Sequence, residues 1–159
     1  MLLIVWHSRT GAARAMAGAA ADGAREVGPV RLLRAADAEP QAMLDARGYL
    51  FCCPENLAAM SGEMKEFFDR CYYPLLGRIE GRAYATLIAA GSDGSGAQRQ
   101  LDRIATGWRL RRVAEPTIVN LAAQTPEAIL AAKTVPPETL TTCRELGSAL
   151  AEGLAQGIF

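Results

Sequence analysis

Apolar and polar positions along the chain follow two alternating patterns. Leu2-Leu3-Ile4-Val5-Trp6 is an unbroken apolar run, which is how a strand covered on both faces reads. After Ser8-Arg9-Thr10-Gly11, the residues Ala13, Met16, Ala17, Ala20, Ala24 and Val27 recur at helical spacing, with Arg14, Asp22, Arg25 and Glu26 between them. A strand, a hydroxyl-rich turn and an amphipathic helix are therefore expected in that order. Gly28-Pro29 breaks the helix, and Val30 to Leu33 reads as a more amphipathic strand whose leading proline suits a sheet edge. Ala35 to Arg47 is a polar connection with one weak helical turn around Gln41 to Leu44. Gly48 to Cys53 is apolar throughout, hence a central strand, and is expected to stop at Pro54.

The second half repeats the pattern. A loop from Pro54 to Met60 leads to Ser61 as N-cap and to a helix whose stripe is Met64, Phe67, Phe68, Cys71, Tyr72 and Leu75, closed by Pro74 and Gly77. Ala83 to Ala90 is a fourth apolar strand ending in Gly91-Ser92-Asp93-Gly94-Ser95-Gly96. Ser95 and Gln98 are spaced as a capping box for a helix that buries Ala97, Leu101, Ile104 and Ala105. Arg112 to Asn120 is a fifth strand, placed at an edge by Pro116. Thr125-Pro126-Glu127 opens a short helix running to about Lys133, and a last helix after Pro136-Pro137 buries Leu140, Cys143, Leu146, Leu150 and Leu154.

Strands that alternate with helices five times predict an α/β fold, a three-layer sandwich with a parallel sheet and helices on both faces. With the proline-marked second and fifth strands outside, the sheet has five strands in the order 2-1-3-4-5. Its switch point, where ligands bind in open α/β sheets, lies between strands one and three. Three loops converge there: Ser8 to Ala13, Pro54 to Met60 and Gly91 to Gly96. Taken alone, Ser8-Arg9-Thr10-Gly11 is equally a phosphate cradle at a helix N-terminus or a cap rich in hydroxyls. The convergence of the loops favours the cradle.

Composition narrows the picture. The 159 residues fit one domain, residues 1–159, with a core of its own. Seventeen basic and 17 acidic residues cancel, which gives no electrostatic case for nucleic acid or an anionic membrane surface. No apolar stretch has the length of a membrane span or a signal segment, so a cytoplasmic protein is expected. Cys52, Cys53, Cys71 and Cys143 read as buried thiols in a reducing compartment. A single histidine, His7, and no CxxC leave no basis for a zinc site. His7 precedes the first loop and reads as a structural group at a strand end, with contact to a ligand as the alternative.

At this point the residues resemble a known family. Ser8-Arg9-Thr10-Gly11 resembles the phosphate loop of flavodoxins. Pro54 with Met60-Ser61-Gly62-Glu63-Met64-Lys65-Glu66-Phe67-Phe68-Asp69-Arg70 is similar to the second loop and helix of NAD(P)H-dependent FMN reductases and quinone reductases of flavodoxin-like fold, and Gly91-Ser92-x-Gly94-x-Gly96 to their third loop. The resemblance implies a flavodoxin-like sheet and a bound FMN. Ser8, Arg9, Thr10, Gly11, Ala12 and Ala13 would hold its phosphate. Pro54, Glu55, Asn56 and Leu57 would meet its ring, mostly through backbone atoms, and Gly91, Ser92, Asp93 and Gly94 would flank it. Electrons would come from NADH or NADPH and go to a quinone or a similar small acceptor, with no catalytic side chain required.

The family's usual assembly implies a homodimer or homotetramer, for which Tyr72-Tyr73-Pro74-Leu75-Leu76 is the expected contact. The pattern is broken at three places. Ala12-Ala13 removes a hydroxyl donor, Glu55 stands where a small threonine is usual, and Ala58 where glycine is frequent. A carboxylate beside a reduced flavin would oppose its anionic form. Two other functions therefore compete with the reductase. A flavodoxin-type electron carrier fits the fold, although such carriers are typically acidic and stack aromatic residues that these loops lack. A binding or sensory module without flavin fits the Ala12-Ala13 and Glu55 departures.

Overall fold

The structure is a computed structural model that describes residues 1–159. Its elements are β1 (Leu2–Trp6), α1 (Ala12–Arg25), β2 (Val30–Arg34), α2 (Pro40–Asp45), β3 (Gly48–Asn56), β4 (Ala59–Met60), α3 (Gly62–Leu75), β5 (Ala83–Ala90), α4 (Ser95–Gly107), β6 (Arg111–Arg112), β7 (Thr117–Asn120), α5 (Pro126–Leu130) and α6 (Pro137–Gln156). The sheet runs β2-β1-β3-β5 with β6 and β7 together in the outer position, and all of these pairings are parallel. This is the expected flavodoxin-like order. The fifth strand is cut in two because Pro116 has no N–H to give the ladder, so β6 pairs with the start of β5 and β7 with its end.

Alternation along β3 builds the three layers. Tyr49, Phe51 and Cys53 point to one face, where Phe67 and Phe68 of α3 and Trp108 after α4 complete an aromatic core. Leu50 and Cys52 point to the other face, against α1 and α6. There Gly23 meets the backbone of Arg144 and Gly147 that of Ala20 so closely that neither position has room for a Cβ. All four cysteines are buried and free. Tyr73 and Leu76, at the end of α3, stand exposed and are not covered by this chain. No helix is long and apolar enough to cross a membrane.

Pro74 lies inside α3 and does not close it, α5 ends at Leu130, short of Lys133, and two expectations at the cleft's loops fail as well. β3 does not stop at Pro54 but continues to Asn56 and turns back as β4, with Glu55 opposite Met60 and Asn56 opposite Ala59. Pro54 stays in register with Ala89 of β5. The Ser95/Gln98 capping box does not form either. Gly94 is the N-cap of α4, and the Gln98 side chain is buried, where it bonds Thr86 and Asp102.

Candidate functional site

The carboxyl ends of β1, β3 and β5 open into a cleft of about 330 Å³. The first loop enters α1 through Gly11, whose φ of +101° is the left-handed conformation that glycine takes without penalty. Its N–H donates to Ser8 Oγ at 3.1 Å. Ala12, Ala13 and Arg14 follow as the first helical residues, and no carbonyl of the helix reaches their N–H groups. The Ala12 and Ala13 methyls are buried in the α1 face of the core. A hydroxyl is missing here, but the backbone donors remain.

The second loop is the β3–β4 hairpin. Its two turn residues, Leu57 and Ala58, both have positive φ (51° and 60°), the conformation of a tight hairpin turn that asparagine and glycine usually occupy. Arg9 Nη1 donates to Asn56 Oδ1 at 2.9 Å and so ties this loop to the first. The Glu55 side chain turns to α4. One carboxylate oxygen accepts from Gly94 N at 2.9 Å and the other from Ala97 N at 3.1 Å. Its charge is spent on the N-terminus of that helix, where the dipole favours an anion. The departure at position 55 thus has a structural role.

The third loop needs its glycines for contact. A Cβ on Gly91 would strike the Ala123 carbonyl, one on Gly94 the Ile118 side chain, and one on Gly96 the Ala58 carbonyl. Asp93 is fully exposed and bonds Ser95 through its hydroxyl and its N–H, which hold the carboxyl below its usual range.

The cleft brings together most of the residues expected from sequence: Ser8, Arg9, Thr10, Ala12 and Ala13 from the first loop, Pro54 to Leu57 from the second, and Gly91 and Ser92 from the third. Asp93 and Gly94 do not line it. Gly11 lines a neighbouring open cleft with Trp6, His7, Arg14 and Arg34. Sequence reasoning placed Ala58 in the second loop without giving it a contact, and missed Ala89 and Ala90 at the end of β5. It also missed one whole wall, formed by Leu121, Ala123, Ile129, Leu130 and Lys133. The only signal for that wall was the Thr125-Pro126-Glu127 start of a short helix.

His7 does not enter the main cleft. Its Nδ1 lies 2.7 Å from Ser61 Oγ and its Nε2 3.4 Å from Glu63 Oε2. These partners fit a neutral ring that keeps its proton on Nε2, toward the carboxylate, and accepts the serine hydroxyl at Nδ1. Ser61 holds the N-cap position of α3, but its hydroxyl serves His7 and not the helix. Burial pushes the imidazole below its ordinary value of 6.5, against the opposing pull of Glu63.

The unfolded chain therefore takes up this proton at a higher pH than the fold does. The stability that the neutral ring contributes is complete above about pH 6.5 and is lost as pH falls through the lower folded value. The urea midpoint is expected to drop between about pH 7.5 and 5.5, and His7→Gln to flatten the drop. An equal slope in both proteins would show that the ring is not held neutral. His7 is the only histidine, so the comparison isolates it.

Fold and cleft together define a flavodoxin-like protein. Residues 34–125 match the NADPH-dependent FMN reductase family. The chain is 30% identical over 161 residues to a flavodoxin of Aquifex aeolicus, a similarity covering 97% of this chain and 86% of that protein. Among solved structures, it is similar to a flavodoxin from the domain Archaea, with a TM-score of 0.78 and 17% identity, covering 97% of this chain and 98% of that one. It is also similar to a WrbA-like flavodoxin from Agrobacterium tumefaciens, with a TM-score of 0.77 and 20% identity, covering 98% of this chain and 97% of that one. The chain belongs to the NADPH-dependent FMN reductase family of flavodoxin-like proteins.

Proposed function

We propose that the chain is an FMN-binding oxidoreductase that takes electrons from NADH or NADPH and delivers them to a quinone or a similar small acceptor. One observation carries the FMN reading. Of the long helices that start on the loops of this cleft, α1 and α4 contrast at their N-termini, and the chain fills that of α4 itself. Glu55 occupies the α4 terminus, whereas the first-turn N–H groups of α1 stay open beside Arg9 and the Thr10 hydroxyl. A phosphate monoester fits that vacant terminus. The rest of the cleft, with Pro54, Leu57, Ala89, Ala90, Leu121 and Leu130 among its lining, suits a flat, largely apolar ring.

Bound FMN would supply the two-electron and one-electron chemistry. The chain's own part is to hold the phosphate through the first loop, to keep the Glu55 charge away from the ring on α4, and to shape the apolar walls. Four buried free thiols support a reducing, cytoplasmic location. A flavodoxin-type carrier is a second reading, favoured by the similarity to the Aquifex aeolicus flavodoxin over nearly the whole chain. The expected result is a visible flavin spectrum on purification or after adding FMN, with NADH or NADPH oxidised when a quinone is present. Colourless protein unchanged in thermal stability by FMN would reject both readings. Flavin-loaded protein that oxidises neither nucleotide would leave the carrier.

A further inference from the structure

The chain between β7 and α6 is built as a strap across the cleft. Its helix, α5, contains no buried residue, so no core packing holds it, and a helix of five residues does not stand by itself in water. It is held at its ends. On one side Ala123 N donates to the Gly91 carbonyl at 2.9 Å, and on the other Lys133 N donates to the Thr10 carbonyl at 2.8 Å. Those acceptors belong to the third and the first loop, so the strap spans from one to the other. Within it, Thr125 Oγ1 accepts from Ala128 N at 3.2 Å. The Lys133 ammonium donates to the carbonyls of Ala128, Ile129 and Ala131 at 2.6, 2.9 and 2.6 Å. The last turn of α5 is thereby satisfied by its own chain.

Apart from Lys133, whose ammonium is taken up by the strap's own carbonyls, what the strap presents to the cleft is apolar. Ile129 and Leu130 line it while remaining 47% and 67% exposed, and Leu57, which also lines it, is 93% exposed. A single exposed aliphatic side chain needs no explanation, but three around one cleft mark a surface that something apolar covers. Neither ring loop has an aromatic residue to do so.

We propose that residues 124–132 are a wall of the cofactor site and that Ile129 and Leu130 supply apolar contact to the flat ring of the flavin. This rests on the FMN reading. The strap's few tethers leave it at the easily opened end of the molecule's local stabilities, and ligand contact damps that opening. Apolar area then leaves water only when the ring is bound, so the gain appears in affinity and not in the stability of the free protein.

The test titrates FMN and riboflavin by fluorescence quenching into the wild type and an Ile129→Ser/Leu130→Ser double variant, and follows amide exchange of residues 124–132 with and without FMN. Expected are slower exchange in the wild-type strap on binding FMN, and affinities for both flavins about 10- to 50-fold weaker in the double variant. Thermal unfolding of the flavin-free variant should match the wild type, because neither side chain is in the core. Weakening confined to FMN would trace to the phosphate loop through Thr10 and would overturn the ring contact. So would unchanged affinities, or strap amides indifferent to FMN. Wild-type protein that binds neither flavin would overturn the FMN reading itself, and the strap's role with it.

Discussion

Gly96→Ala is expected to lower the unfolding free energy by about 1–3 kcal/mol, the range typical of overpacking, and to weaken FMN binding with it. A Cβ at position 96 falls on the Ala58 carbonyl oxygen, a backbone atom. Relief would require the β3–β4 hairpin and the start of α4 to separate, yet three hydrogen bonds join them. Glu55 reaches Gly94 N and Ala97 N, and Met60 N donates to Gln100 Oε1 at 2.9 Å. The strain therefore either stays in place or breaks those bonds. The hairpin also carries Pro54 to Leu57, so its displacement reshapes the cleft. Gly62→Ala is the control, because nothing lies within 4 Å of its missing Cβ. Urea titrations of the two variants should differ by the full amount, whereas equal stabilities would show that the hairpin and α4 are not in tight contact.

That contact also shows which parts of the site the sequence reveals. The strands, their order and the three convergent loops follow from periodicity and from two prolines, because buried parallel strands must be apolar throughout and edge strands need not be. Contacts between elements leave no such periodic trace. Proline normally ends a strand, but Pro54 lies within β3 and stays in register with Ala89. The hairpin beyond it turns on Leu57-Ala58 and not on an Asn-Gly pair, so its turn chemistry was invisible. Ser61 and Gln98 sit where caps are expected, but their side chains are claimed by His7 and Thr86 across the fold. Ile129, Leu130 and Lys133 join the cleft only through single backbone bonds made at Ala123 and Lys133, which no local pattern encodes.

Glu55→Ala gives the second large effect and decides what this carboxylate is for. Read from sequence, Glu55 faces the flavin and opposes its anion, so removing it should leave stability nearly unchanged and ease formation of the reduced anion. The geometry predicts the opposite. The carboxylate accepts from two N–H groups at a helix start, and hydrogen bonds to a charged group each contribute about 1.5–3 kcal/mol. Water repairs part of the loss at a partly exposed site, so a net destabilisation of about 2–4 kcal/mol is expected by urea unfolding.

The vacated α4 terminus also becomes an anion site of the kind that α1 already offers. Sulfate should then raise the melting temperature of Glu55→Ala by more than it raises that of the wild type, where Glu55 already fills the α4 terminus. Glu55→Gln keeps one accepting oxygen but turns an NH₂ toward the other donor, so it should fall between the wild type and Glu55→Ala. A Glu55→Ala protein as stable as the wild type, with no added response to sulfate, would return this charge to the flavin side of the cleft.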